Sequence, residues 1–274
     1  MDKILVLGGS GLVGKALINE LENDYDVYGT YHSEYNNKNA NNLFKLDIDN
    51  LNDIKEIIKT VKPNIIISCL SGDFNEQFKI HKEIENYLSR INGKLYFCSS
   101  ANVFDNEVDK VHYEYDCVSA ESDYGKFKIK CEKELALILK DKLCIIRLPC
   151  IWGKNSPRFN NLVEMLKKHE EIPVYSNYYL TNNTDVMLAK QIHYIIRNNF
   201  KGVYHLSTND VVNYQEFIEE IIEKLEYKDI KFKITKLPSE KYYLAISTIH
   251  TDIPSNFKIT NKDVVNYLTM VFFA

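Results

Sequence analysis

Short apolar runs alternate with longer amphipathic stretches over the first 150 residues. The run Lys3-Ile4-Leu5-Val6-Leu7 ends at glycine and is too short for a helix, so it reads as a buried strand. Leu12, Ala16, Leu17 and Leu21 follow at helical spacing. The same alternation predicts further strands over 26–31, 43–46, 64–68, 94–98 and 143–148. It predicts helices over 54–61, about 75–91 and about 122–140. In the helix over 54–61, Ile54, Ile57, Ile58 and Val61 share one face, and Pro63 stops it. Strands separated by helices of this length predict an α/β fold built on a doubly wound parallel sheet.

Beyond Pro149 the rhythm changes. Helices are expected over 157–170, 184–198 and 214–226, and strands over 203–206 and 230–234. The C-terminal stretch that carries Pro238 and Pro254 reads as irregular. The expected organisation is a dinucleotide-binding unit over 1–150, to which 184–206 returns, with most of 151–274 forming a small C-terminal substrate-binding lobe.

Composition narrows the function. The chain has 274 residues, is 45% hydrophobic and 26% charged, and carries a formal net charge of −4, so it lacks the basic excess that binds nucleic acid. No apolar run approaches the roughly 18 to 20 residues that span a bilayer, and no leader precedes the first strand, so a cytoplasmic protein without membrane contact is expected. The six cysteines form no C-x-x-C pair and the seven histidines no H-x-x-x-H, which argues for free thiols and no metal site.

Gly8-Gly9-Ser10-Gly11-Leu12-Val13-Gly14 fits G-x-x-G-x-x-G at the first strand-to-helix junction. Gly8 permits a tight turn, Gly11 lets backbone N–H groups approach a pyrophosphate, and Gly14 lets helix and strand pack closely. The second strand ends Tyr31-His32-Ser33 with no carboxylate, although Glu34 lies just beyond. This favours NADP(H), its 2′-phosphate near His32 and Ser33, over NAD(H). Asp47 is a candidate for the adenine amino group or a cap for the following helix. Tyr124 and Lys128 stand one helical turn apart in a Y-x-x-x-K, and Ser99-Ser100 come right after the fifth strand, at the sheet edge where such folds bind ligands. A phenol titrates near 10, and a neighbouring ammonium favours its phenolate, which suits this pair to proton transfer.

These segments resemble the extended short-chain dehydrogenase/reductases, and within them the dTDP-4-dehydrorhamnose reductase branch. The likeness rests on the glycine motif, Phe97-Cys98-Ser99-Ser100-Ala101-Asn102-Val103-Phe104-Asp105, Glu114-Tyr115-Asp116, Tyr124 through Glu132, Arg147-Leu148-Pro149 through Trp152-Gly153, and Val203 through Ser207. It implies a Rossmann fold and an NAD(P)H-dependent reductase of a keto group on a nucleotide-linked sugar. Ser100 would orient the carbonyl, Tyr124 would be the acid and Lys128 its partner. The implied cofactor site comprises Gly8, Ser10, Gly11, Leu12, Val13, Gly14, His32, Ser33, Asp47, Ile48, Leu70 and Ser71, together with Tyr124 and Lys128. Ala101, Asn102, Pro149, Ile151 and Trp152 would face the sugar in a cleft between the sheet edge and the C-terminal lobe. A homodimer is compatible with the resemblance.

The branch's aspartate and tyrosine after its catalytic threonine are Ala101 and Asn102 here, and its customary asparagine in the next helix is His81. Two other activities therefore stay open: a non-catalytic NADP-binding regulatory subunit, or a nucleotide-sugar epimerase or dehydratase that recycles bound NAD.

Overall fold

The computed structural model describes residues 2–32 and 42–274. Its first part runs β1 (Lys3–Leu7), α1 (Leu12–Leu21), β2 (Asp26–Tyr31), β3 (Leu43–Lys45), α2 (Leu51–Val61), β4 (Ile65–Ser68), α3 (Phe74–Ser89), β5 (Lys94–Ser100), α4 (Asp123–Leu139) and β6 (Leu143–Leu148). The boundaries follow local chemistry. Asn50 caps α2 by accepting from the Asn52 N–H; Lys62 ends it in the left-handed region at φ 52°, and Pro63 blocks its continuation.

Then come β7 (Cys150–Trp152), α5 (Pro157–Lys167), β8 (Ile172–Tyr175), β9 (Tyr178–Leu180), β10 (Asn182–Thr184), α6 (Asp185–Arg197) and β11 (Gly202–His205). The chain finishes with β12 (Val212–Asn213), α7 (Tyr214–Lys224), β13 (Phe232–Thr235), β14 (Tyr242–Leu244) and α8 (Asn261–Phe273).

The main sheet is parallel with strand order β11-β6-β5-β4-β1-β2-β3. One face packs on α1 and α6 through residues such as Ile4, Val6, Leu17, Ile67, Ile146 and Ile192. The other packs on α2, α3 and α4 through Leu5, Leu7, Ile54, Ile66, Ile84, Phe97 and Leu135. Central strands covered on both faces are apolar at nearly every position, which is why they read as continuous hydrophobic runs. After β1 the chain builds outward to β3 and then returns to β4 on the other side of β1, opening a crevice at the C-terminal ends of β1 and β4.

The remaining segments form short strand pairs around a separate core of Trp152, Phe159, Leu166, Phe217, Ile221, Val264 and Leu268. Here the expectation of an irregular C-terminal stretch is corrected. The stretch contains β14 and α8, and α8 opens with a capping box in which Thr260 and Asp263 satisfy each other's backbone N–H groups. Val264, Val265 and Leu268 then bury one face of α8. Buried Asn182 ties this helix to β10 by donating to Asn261 Oδ1 at 2.7 Å. No helix among the described residues is long and apolar enough to cross a membrane.

Candidate active site

The glycine turn and α1 shape the first cavity, about 450 Å³, at the crevice between β1 and β4. Gly8 sits at φ +75°, and a Cβ there would lie 2.5 Å from the Cys69 carbonyl oxygen. A Cβ on Gly14 would lie 2.2 Å from the Gly8 carbonyl oxygen, so only glycine lets α1 start this close to the strand. Thr30 holds the turn by accepting from the Gly8 N–H at 3.0 Å. The N-cap of α1 is Gly11, which has no side chain to offer, whereas α2 through α8 are each capped by an Asn, Asp, Ser or Thr side chain. The first-turn N–H groups of α1 are thereby left for an anion. An uncapped helix end facing a cavity at the switch point fits a dinucleotide's pyrophosphate.

Of the residues expected there, Gly8, Ser10, Gly11, His32, Ile48, Leu70 and Ser71 line this cavity. Val13 packs into the apolar core and Gly14 against Gly8, so they shape the turn without forming wall. Leu12 instead lines the neighbouring cavity. Asp47 is not on the wall: its carboxylate accepts from the Asp49 N–H at 3.1 Å, and Asp49 lines the cavity in its place. Asn50, not Asp47, caps α2. Ser33 lies outside the described residues, as does Glu34. Thr30, Tyr31, Leu46, Cys69, Gly72 and Asp73 complete the wall without having been singled out as cofactor contacts in the sequence.

A second cavity, about 510 Å³, opens between the edge of the main sheet and the C-terminal lobe. Ser100 ends β5 and contributes to its wall. The Ser100 hydroxyl donates to Asn102 Oδ1 at 3.0 Å and accepts from the Asn102 N–H at 3.2 Å, so its position is fixed. Tyr124, 39% exposed, lines the same cavity. The start of α4 packs closely on the turn after Ser100 at Gly125, where a Cβ would stand 2.3 Å from the Asn102 carbonyl oxygen. Asp105 pins the start of α4 by accepting from the Glu121 and Ser122 N–H groups, and Ser122 caps the helix.

Lys128 is buried beneath these residues. Its Nζ donates to the Cys98 carbonyl at 2.9 Å and lies 5.7 Å from the centroid of the Tyr124 ring and 4.8 Å from that of Phe97. His81, buried on α3, meets Ser68 Oγ at 2.8 Å through Nε2. Burial, with Lys128 nearby, pushes the His81 imidazole down to about 3, so it is neutral at ordinary pH.

Ala101, Asn102, Pro149 and Ile151 line the second cavity, but Trp152 does not. The indole is fully buried in the lobe, packs on Phe217 with ring centroids 5.4 Å apart, and donates to Asn182 Oδ1 at 2.8 Å. Along β7, Ile151 packs toward the main-sheet core and Trp152 into the lobe core. The opposite wall carries residues that the sequence pattern did not single out as site residues: Ser156 and Arg158 around the start of α5, and Tyr214 at the start of α7. Tyr175 and Tyr178, which the sequence does offer as aromatics able to stack on a base or sugar or to serve as plain packing, line the same wall. Ser156-Pro157 announced a helix start, but no periodicity marked Arg158 as facing a cavity. No group of three or more His, Cys, Asp or Glu side chains among the described residues is arranged to hold a metal.

Solved structures share this architecture. A dTDP-4-dehydrorhamnose reductase from Clostridium acetobutylicum superposes with a TM-score of 0.82 at 19% identity, covering 98% of this chain and 99% of that one. The dTDP-4-dehydrorhamnose reductase from Bacillus anthracis in complex with NADP gives 0.79 at 19% identity, covering 99% and 98%. The dTDP-glucose 4,6-dehydratase from Bacillus anthracis in complex with NAD gives 0.83 at 14% identity, covering 100% and 97%. None of the curated proteins matches the sequence significantly. The model of the RmlD substrate binding domain matches residues 1–247, and the chain belongs to that family.

Proposed function

We propose that this protein reduces a keto group on a nucleotide-linked sugar, with NADPH as the reductant. The observation that carries the reading is the placement of Ser100 and Tyr124 on the wall of one cavity, with the Lys128 ammonium under the Tyr124 ring. When bound, the nicotinamide nucleotide supplies the hydride. The Ser100 hydroxyl turns from Asn102 to donate to the carbonyl oxygen, orienting it and stabilising its growing negative charge. Tyr124 Oη would give its proton to that oxygen as it becomes a hydroxyl. Lys128, held by the Cys98 carbonyl, favours the negative charge left on the phenol oxygen.

The first-turn N–H groups of α1 would hold the pyrophosphate, and Leu70 and Ser71 would lie along the dinucleotide. His32 on the wall, with no carboxylate ending β2, supports NADPH over NADH. The solved relative in complex with NADP supports the same choice.

The dehydratase alternative is disfavoured because, among the described residues, the nearest carboxylates, Asp105 and Glu121, line the adjoining cavity and not the one that holds Ser100 and Tyr124, and eliminating water needs a further acid or base beside the sugar. A purely regulatory subunit would have no use for Ser100, Tyr124 and Lys128 together. The test is steady-state loss of NADPH absorbance with a dTDP-linked 4-keto-6-deoxyhexose. Tyr124→Phe is expected to abolish turnover and keep NADPH affinity; a Phe variant that retains turnover would overturn the assignment.

A further inference from the structure

Two thiols meet between the cofactor cavity and the anchor of Lys128. Cys69 follows β4 and lines the cofactor cavity, and Cys98 lies buried in β5. The register of these strands pairs Ser68 with Phe97, so the next residues, Cys69 and Cys98, stand side by side and pack into the same face of the sheet. Their sulfurs are 3.4 Å apart. Neighbouring strands lie about 4.8 Å apart, within the Cα separations that a disulfide spans. The backbones of both residues serve the site. Cys69 donates its N–H to the Leu7 carbonyl at 3.0 Å, and its own carbonyl oxygen packs on the glycine turn, where a Cβ on Gly8 would meet it at 2.5 Å. Leu70 and Ser71, next in the chain, line the cofactor cavity. The Cys98 carbonyl holds the Lys128 ammonium.

From this placement, and resting on the dinucleotide reading of the first cavity, we infer that Cys69 and Cys98 are an oxidation site that a peroxide closes to a disulfide, and that closure loosens the hold on NADPH. The pair gives up its first proton below the usual thiol value, because the S–H that remains bonds the thiolate and Lys128 adds its charge, with burial opposing; the second comes off well above it. Either sulfur can keep the shared proton, so a thiolate is available on Cys69, at the cavity wall. That thiolate attacks one oxygen of hydrogen peroxide: an S–O bond forms, the O–O bond breaks, and the departing hydroxide takes up a proton and leaves as water. The Cys98 thiolate then attacks the Cys69 sulfur, the S–S bond forms, the S–O bond breaks, and a second hydroxide leaves as water once protonated. The thiols lose two electrons and the peroxide gains them. Bond formation draws the sulfurs about 1.4 Å closer, and the strand ends move with them. The Cys69 carbonyl has no slack against Gly8, so the glycine turn shifts and its N–H donors lose their aim at a pyrophosphate.

The test treats the reduced, nucleotide-free protein with hydrogen peroxide, blocks the remaining thiols with iodoacetamide, maps the peptides by mass spectrometry and titrates NADPH by fluorescence. The expected result is a linked peptide pair joining Cys69 to Cys98 and an NADPH affinity at least about tenfold weaker, restored by dithiothreitol. Cys98→Ala, compared before and after peroxide, should change its NADPH affinity by less than about twofold, whereas Cys117→Ser, which removes the exposed thiol, should show the full loss. Should Cys98→Ala fail to fold, the peptide map of the parent and the reversal by dithiothreitol still decide. Peroxide that consumes other thiols without linking Cys69 to Cys98, a linked pair with unchanged NADPH affinity, or the same loss in Cys98→Ala as in the parent would each overturn the inference. The reductase reading fails separately: a protein that loses NADPH on oxidation as expected but, when reduced, consumes no NADPH with any keto sugar would sink that reading and leave this one standing.

Discussion

Replacing Gly14 with alanine tests how closely α1 must approach β1 for the cofactor to be held. The added Cβ would meet the Gly8 carbonyl oxygen at 2.2 Å, Gly9 Cα at 2.7 Å and Gly8 C at 2.8 Å, all of them backbone atoms that cannot rotate away. Ordinary contact requires the helix start to retreat by roughly 1 Å, at an overpacking cost of about 1–3 kcal/mol. The same retreat lengthens every hydrogen bond from the first turn to a bound pyrophosphate beyond useful range. Losing one or two charge-assisted bonds, each worth about 1.5–3 kcal/mol, weakens NADPH binding by at least about tenfold and as much as about 20,000-fold. Fluorescence titration of NADPH gives the affinity, and urea unfolding gives the stability of the same samples. A folded Gly14→Ala protein that binds NADPH within about threefold of the parent would refute the reasoning, because the overlap would then have been relieved without moving the anion site.

Other consequences are as direct. Arg147 and Glu132 form a buried two-pronged ion pair with N···O distances of 3.1 and 2.8 Å, so Glu132→Ala should cost about 3–5 kcal/mol in urea unfolding by leaving the guanidinium unpaired. Trp152→Phe should lower stability, since it empties space in the lobe core and removes the donor to Asn182, while the substrate KM stays within about twofold. A large KM change would place the indole at the sugar after all. His81 and His205 are both depressed by burial, to about 3 and about 4, with Arg147 also lowering His205 and Glu114 opposing. The unfolded chain therefore binds more protons than the folded one below the ordinary value near 6.5. Each site then removes up to about 1.4 kcal/mol of stability per pH unit as pH falls toward its depressed value. Urea midpoints at pH 7 and pH 5 should show this loss, and His81→Gln should reduce the slope; a midpoint independent of pH would contradict it.

What the sequence made legible follows from where the physics is local. Strands buried on both faces must be apolar nearly throughout, so β1 and β4 could be located from their runs alone. Gly8 and Gly14 announced a close turn because no other residue serves there. Tyr124 and Lys128 were readable because helical spacing makes them neighbours. Contacts between distant segments were not readable. Arg158 faces the cavity because α5 packs on the lobe core through Phe159, Leu162 and Leu166, and nothing in its local pattern says what lies opposite. Trp152 misled for the complementary reason, since a large aromatic beside a cleft and one in a core look alike until a partner such as Phe217 is known. The helix α8 had a visible signal, Thr260 and Asp263 ahead of Val264 and Val265, which the nearby Pro254 obscured.

The central claim is net reduction with Tyr124 as the proton donor, and isotope transfer tests it most directly. The protein is mixed with NADPH deuterated at the transferable C4 position and a dTDP-linked 4-keto-6-deoxyhexose, and the sugar product is analysed by mass spectrometry. The account predicts one deuterium on the former carbonyl carbon for each NADPH consumed, and no such product with Tyr124→Phe. Product formed without deuterium or without net NADPH consumption, or deuterated product from Tyr124→Phe at the parent rate, would contradict it.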